Sequence, residues 1–459
     1  MTTTLERTDA EEQLARQFAG VASELPGGGW VPEARRHAME VFRREGLPHR
    51  RVEEWKYTDL RSRLAHAYPP ASCASLRIDD RLLATLLGPE LAGLDCIRIV
   101  LVNGRLAGRL DGGGALASDQ LRIGCLAAML GEAGSSHGWM QRHFAPTASG
   151  DNLDPVLALN TAFVTDGVVV HVADGFHPAM PIHIVSITDA DEGAAVATRN
   201  LVKVGRGARA VVMESHIGLG AAADKRQATA VTQIAVEEAG ELHHIQHLAG
   251  GADAVHLGRW DIDIGRDATY RGFQLSTGVG LARLESHVRF SGPDAKLDLS
   301  GLMLGRGRDH IDTTLVIDHT TTGCESRELF LAVLDDRARA VFQGKVVVAP
   351  EAQKTDGKQM ARSLMLSEDA EFDSKPELEI YADDVACGHG STAAELDPDM
   401  LFYLRSRGIP LDDARSMLIE SFAAGALDKI EDETIREAAR SLALGWLRVA
   451  EPKTRGTPR

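Results

Sequence analysis

Cysteine is scarce in this chain, and none of it is clustered. Cys73, Cys96, Cys125, Cys324 and Cys387 are odd in number and widely spaced, and no two form a Cys-x-x-Cys pair. That pattern excludes a zinc ribbon, a permanent cluster site built from local ligands, and a disulfide framework. Positive charge is also short. Fifty Lys and Arg face 66 Asp and Glu, a formal charge of −16 that argues against sequence-independent nucleic-acid binding. No run approaches the ~18 uninterrupted apolar residues of a membrane helix, and Met1-Thr-Thr-Thr-Leu-Glu lacks the basic start of a signal peptide. A soluble, cytoplasmic protein is the expectation.

The common catalytic signatures are missing as well. There is no Gly-x-x-x-x-Gly-Lys-Ser/Thr: Gly344-Lys345 is followed by Val346, and Gly305-Arg-Gly-Arg-Asp-His310 runs into a strand-like segment and reads as a turn. No Gly-x-Ser-x-Gly elbow and no His-Glu-x-x-His occur. His243 and His244 are neighbours in a strand-like stretch, where successive side chains point to opposite faces, so they cannot share one ion. Asp383 and Asp384 alternate in the same way, which disfavours a glycoside-cleaving carboxylate pair. The chain is expected not to be an enzyme.

What is present falls into three stretches. Residues 1–150 are helical and mixed: Ala10–Ala19 and Pro32–Phe42 have helical apolar spacing, with Ala38, Val41 and Phe42 on one face. Trp55, in Glu54-Trp-Lys-Tyr-Thr58, is expected to pack over a helix–loop junction. Ile97-Arg-Ile-Val-Leu-Val reads as a buried strand ending in an Asn103-Gly104 turn, and Leu121–Leu130 looks helical.

Residues 151–394 are short strands separated by Gly/Asp turns. A small residue recurs at Ala208, Gly240, Ala268, Ala295, Ala338 and Ala370, in steps of 32, 28, 27, 43 and 32. A strand-only unit of near-regular length fits a parallel β-helix, whose rungs bury one another. A β-sandwich is the alternative; the recurring small corner favours the solenoid. Cys324 is expected as a small residue packed in a rung.

Residues 395–459 are helical again. Asp397 caps a helix with Pro398 at its first position, and Gly408 stops it. A second helix carries Ala414, Met417, Leu418 and Phe422 as one apolar stripe, and a third, from Asp432, carries Ile435, Ala439, Leu442 and Trp446 on one face.

One segment combines reactive side chains with distinctive grammar: Lys375-Pro-Glu-Leu-Glu-Ile, then Cys387-Gly-His389-Gly-Ser-Thr392. Two residues apart on a strand, the thiol and imidazole face the same side, and Gly388 and Gly390 allow another backbone or an ion to approach. Soft sulfur and borderline nitrogen suit iron or copper. Two ligands leave most metal shells incomplete, so a shared metal role and a buried structural pair both stand on the chemistry alone. In the first case the missing ligands come from another chain.

These residues, together with Leu401-Phe-Tyr-Leu-Arg-Ser-Arg-Gly-Ile409, Glu54-Trp-Lys-Tyr-Thr58, Asn160-Thr-Ala-Phe163 and Gln343-Gly-Lys-Val346, resemble the SufB/SufD family of scaffold subunits in SUF iron–sulfur cluster assembly. The Cys-x-His-Gly-x-Thr pattern, and the lack of a Cys-rich N-terminal motif, place the likeness on the SufD side of that family; SufB is the competing assignment. The resemblance implies a mainly β fold. A central right-handed parallel β-helix would be flanked by an N-terminal helical region and a C-terminal helical domain. It implies a complex with a SufB-like paralogue through the β-helix and a SufC-like ATPase through the C-terminal helices, where Phe402, Tyr403, Arg405, Met417 and Phe422 are the candidate contacts. Whether a homodimer forms where the SufB-like partner is absent is left open by the sequence. No cofactor would be bound permanently. Iron or a nascent cluster would be shared transiently at the interface, with His389 as ligand or positioning base and Cys387 beside it. The plainer alternative is a purely structural subunit.

Overall fold

The computed structural model describes residues 6–73, 76–109, 119–131, 144 and 154–448. Nineteen strands dominate it, and they alternate between two sheets. One sheet has ten strands and the other nine, and all neighbours are parallel except a pair at the beginning of each. This is a parallel β-solenoid of about eight turns, not a sandwich. Parallel rungs in register stack like on like. Val170, Val202, Ile234, Ile262, Val288, Ile317 and Val346 belong to the apolar core between the sheets.

The corners explain the repeat. Where the nine-stranded sheet hands over to the ten-stranded one, a left-handed residue precedes a small buried one. Gly207, Ala239, Asp267, Asp294, Gly323 and Lys354, with φ of 54–74°, come just before Ala208, Gly240, Ala268, Ala295, Cys324 and Thr355. Left-handed φ turns the chain sharply, and a small side chain lets the next rung start against it. The steps within this series are 32, 28, 27, 29 and 31. Ala338 and Ala370 are buried corner residues too, but they lie on the opposite edge. The irregular step of 43 came from crossing between edges, and Cys324 is the missing fifth member. Its thiol is fully buried and donates to Gly292 O at 3.5 Å.

The N-terminal helices lie on the outer face of the nine-stranded sheet. Helix Asp9–Val21 starts in a capping box between Thr8 and Glu11, and helix Val31–Glu45 buries Ala38, Val41 and Phe42. Helix Pro155–Phe163 is capped by Asp154, and its Asn160 and Thr161 grip Arg199 of the sheet at 2.7–3.1 Å. Strand Ile97–Val102 joins the ten-stranded sheet beside Ile182–Asp189 and turns through Asn103 and Gly104, both at positive φ. The stretch Leu121–Leu130 is not one helix. Leu121–Cys125 pairs antiparallel with Val168–Val172, and the helix begins only at Leu126. Sheet pairing won over local helical propensity.

The C-terminal helices Leu411–Leu427 and Glu433–Arg448 cover the outer face of the ten-stranded sheet. Ile419, Ala423, Ala426, Ile435, Ala439 and Ala443 are buried there among Ile245, Leu275 and Leu302. Trp446 is stacked under Arg306 at 4.0 Å. The stripe expected on the first of these helices is rotated: Ala414, Ile419 and Ala423 are buried, whereas Met417 points to solvent. No helix among the described residues is long and apolar enough to cross a membrane.

Candidate functional site

The last rung of the solenoid carries the thiol and imidazole. Strand Ala386–Ala394 is the terminal strand of the ten-stranded sheet, and Glu371–Ile380 is the terminal strand of the nine-stranded one. Each is paired on one side only among the described residues, to Asp356–Met365 and Arg339–Val348 respectively. Both sheets therefore end at the same place with free backbone edges. A free parallel edge is a template for another strand.

Register settles where the two side chains point. Cys387 pairs with Gly357, His389 with Gln359 and Ser391 with Ala361, and all three partners are buried on the inner face. Cys387 and His389 thus share the lumen-facing side of one strand. Cys387 is half-buried against the apolar core, and burial raises its thiol above the usual range. His389 is exposed, since no further rung covers it. A Cβ at Gly388 would meet open space, whereas one at Gly390 would strike the Met360 side chain. Among the described residues, no three His, Cys, Asp or Glu lie close enough to hold a metal ion together. Asp383 and Asp384 sit in the turn before this strand rather than within one, and Asp384 is paired with Lys354.

Apolar exposure gathers at this end. Among the described residues, eight of the eleven exposed large apolar side chains lie beyond residue 359, including Met360, Ile380 and Tyr381 on or beside the terminal strands. Three residues separate the final strand from helix Pro398–Ser406, which is capped by Asp397 and buries none of its residues. Phe402 is 75% exposed; Tyr403, Arg405 and Met417 are exposed as well. Phe422 differs, being half-buried against the outer core with Arg362 5.8 Å from its ring.

The other sequence motifs meet on the outer face of the nine-stranded sheet. Trp55 is buried with Phe42, Leu47 and Leu60 where the N-terminal helices meet a short turn, as expected, and the Arg283 guanidinium lies 3.9 Å from the centre of its ring. Arg283 is fully buried and donates to Glu285 at 2.8 Å, Asp312 at 2.6 Å and the carbonyl of Glu54 at 2.9 Å. Thr58 bonds to His310 at 2.8 Å and to Asp312. Gln343 donates to Glu54 O at 3.2 Å, and Lys375 donates to Glu53 at 2.6 Å on the terminal strand itself. Glu285, Thr314, Gln343 and Lys375 stand in register along this sheet. The N-terminal motif is therefore strapped along the outside of the solenoid as far as its final rung.

Sequence reasoning missed a polar cluster inside the solenoid. Glu214 accepts from Thr232 at 2.6 Å and Asn200 at 3.2 Å, and the ring nitrogens of His216 and His244 lie 3.4 Å from it. Burial pushes its carboxyl up, but the hydrogen bonds and charge of the two histidines outweigh that and hold it below the usual range. The available signal was a carboxylate at an inward position of an otherwise apolar strand, which has meaning only once the register is known. His243 and His244 do face opposite sides: His244 reaches Tyr270 in the lumen at 2.9 Å, and His243 lies outside near Glu431.

Comparison with known proteins addresses the whole chain. Residues 186–422 match the SufBD core domain of the SUF system of FeS cluster assembly, and residues 28–184 match the SufBD N-terminal region. The chain is 30% identical to the iron–sulfur cluster assembly protein SufD of Escherichia coli, over 90% of this chain and 92% of that protein. It is 31% identical to an iron–sulfur cluster assembly SufBD family protein of Synechocystis, over 86% of each. A chloroplastic protein of Arabidopsis thaliana, ABCI7, matches 47% of the chain at 32% identity.

Proposed function

The chain belongs to the SufBD family of SUF iron–sulfur cluster assembly proteins, on the SufD-type side, and from that premise we propose that it is a non-catalytic scaffold subunit whose final rung docks a SufB-like paralogue. Iron and nascent cluster are the cargo of that interface. His389 serves as an iron ligand or positioning base, with Cys387 as a neighbouring thiol. A SufC-like ATPase engages the exposed C-terminal helix through Phe402, Tyr403 and Arg405, with Met417 on the next helix; Phe422 contributes by supporting that surface from below. ATP-driven closure of the ATPase would shear the interface and expose the final rung to iron and sulfide. A second copy of the chain takes the same edge when the paralogue is absent.

The observation that carries this reading is the coincidence at one end of two free parallel edges, an apolar surface and an inward-facing thiol and imidazole. Each alone is commonplace. Together they describe half of a site that a second chain completes. The half-burial of Cys387 favours a structural share for that residue. The test is anaerobic reconstitution of the co-purified three-protein complex. With His389→Ala the complex should stay intact and the cluster absorption should be lost. Unchanged cluster yield in an intact complex removes His389 and leaves a purely structural subunit.

A further inference from the structure

The solenoid buries a cation that has no counter-ion. Arg226 opens strand Arg226–Val236, and its side chain shares the inner face with Ile234 and Val236. It is 1% exposed and makes one hydrogen bond, from Nη2 to the carbonyl of Ala249 at 3.0 Å. Nε and Nη1 have no partner, and no carboxylate among the described residues pairs with the guanidinium. Burial pulls its pKa from 12.5 down to about 10. Glu214, which also faces the lumen, is already held by Thr232, Asn200 and two histidines.

His256 lies on the next strand and the same face. It is fully buried, and neither ring nitrogen has a partner. Burial, then the neighbouring His216 and Arg226, hold its pKa well below 6.5, so the ring is neutral with one N–H to donate. The His216 ring is 4.9 Å away. The rungs leave room around both side chains. His256 stands in register between Ala228 and Ala282, and Arg226 beside Ala194. A Cβ at Gly258 would lie 3.1 Å from His256 Nε2, and one at Gly250 would lie 3.4 Å from Arg226 Nη2. Buried donors without acceptors are costly, and a cluster of them around a guanidinium calls for an anion.

We propose that Arg226 and His256 bind a small monovalent inorganic anion, chloride in ordinary solution, inside the solenoid. Arg226 donates from Nε and Nη1, and His256 from one ring nitrogen. Three donors suit a single-atom ion; a sulfate or phosphate would leave oxygens buried without partners. The His256 strand is fifth from the free edge of its sheet, so the site is separate from the final rung and independent of the scaffold reading.

Thermal unfolding of the full chain in sodium chloride against sodium gluconate, at one ionic strength and pH, tests it. A ligand that binds only the folded chain stabilises by mass action, so the wild-type midpoint should rise with chloride and not with gluconate. Arg226→Met should abolish the chloride-specific rise. His256→Leu keeps the cation and should weaken chloride binding about ten-fold, the loss of one hydrogen bond to a charge. A crystal grown in bromide should show an anomalous peak between the two side chains. Coincident wild-type melts in the two salts, a wild-type chloride effect in both variants, or no bromide peak at that place overturns the site. If Arg226→Met does not fold, His256→Leu and the bromide peak decide the question.

Discussion

The two ends of the solenoid are built differently. At the beginning, Arg105–Arg109 and Leu121–Cys125 fold back antiparallel on the first strands of the two sheets, and helices cover the outer faces nearby. At the far end, both sheets stop on strands with a free edge, and the side chains of the last rung are half-buried or exposed. A β-solenoid tolerates an uncovered edge poorly, since unpaired amides and apolar rungs invite association. Capping one end and leaving the other bare makes association directional. It also separates packing: side chains of the clad region are buried under helices, and those of the last rung are left half-buried or exposed.

Substitutions can break that contrast. The largest effect is expected in the clad region. Arg283→Ala removes the cation between Glu285, Asp312 and the Trp55 ring, leaving buried Asp312 with only the Thr58 and Thr314 hydroxyls and Glu285 with the more distant Arg259 and His287. It should cost about 3–5 kcal/mol in denaturant unfolding.

Glu328 sharpens the comparison from the other direction, as a carboxyl buried two strands inside the terminal one. Burial raises its carboxyl from 4.5 to about 8, only partly offset by Ser326 and Arg327, with Asp298 adding to the rise. The fold therefore retains a proton that the unfolded chain gives up above about pH 4.5. Stability contributed by that proton is present at low pH and is lost as pH climbs towards 8 and beyond. Glu328→Gln should raise stability by about 4 kcal/mol at pH 8 and by little at pH 4, read by thermal melts at both. A gain independent of pH would show that Glu328 is not protonated in the fold.

Gly344→Ala should cost about 1–3 kcal/mol by overpacking against Gln359 and Phe342. At the bare end itself, His389→Ala and Phe402→Ala should change stability by less than about 0.5 kcal/mol, as exposed positions do. If Phe402→Ala instead unfolds the protein, its helix is a stabilising cover and the two ends are not divided as described.

Much of the fold could be read in the chain because its signals are local. Asp397-Pro398 begins a helix, and Asn103-Gly104 makes a hairpin. The face of the last helix followed from spacing at Ile435 and Ala439. The corner repeat was visible but wrongly indexed, since Ala338 and Ala295 look alike in sequence and differ only in the edge they occupy. The thiol–imidazole pair was found from its spacing of two, which suffices on any strand.

Other features were decided only by the tertiary structure. Composition, turn chemistry and residue spacing depend on neighbours within a few positions, so the sequence alone determined a strand solenoid between helical ends, with Cys387 and His389 on one face. Which side is the lumen depends on register across strands some thirty residues apart. So does everything that follows from it: the Glu214 cluster, the file of Glu328, Gln359 and His389, the Trp55–Arg283 clamp, and the exposure of Met417 instead of Ile419. Those pairings are long-range, and only packing of the whole chain selects them.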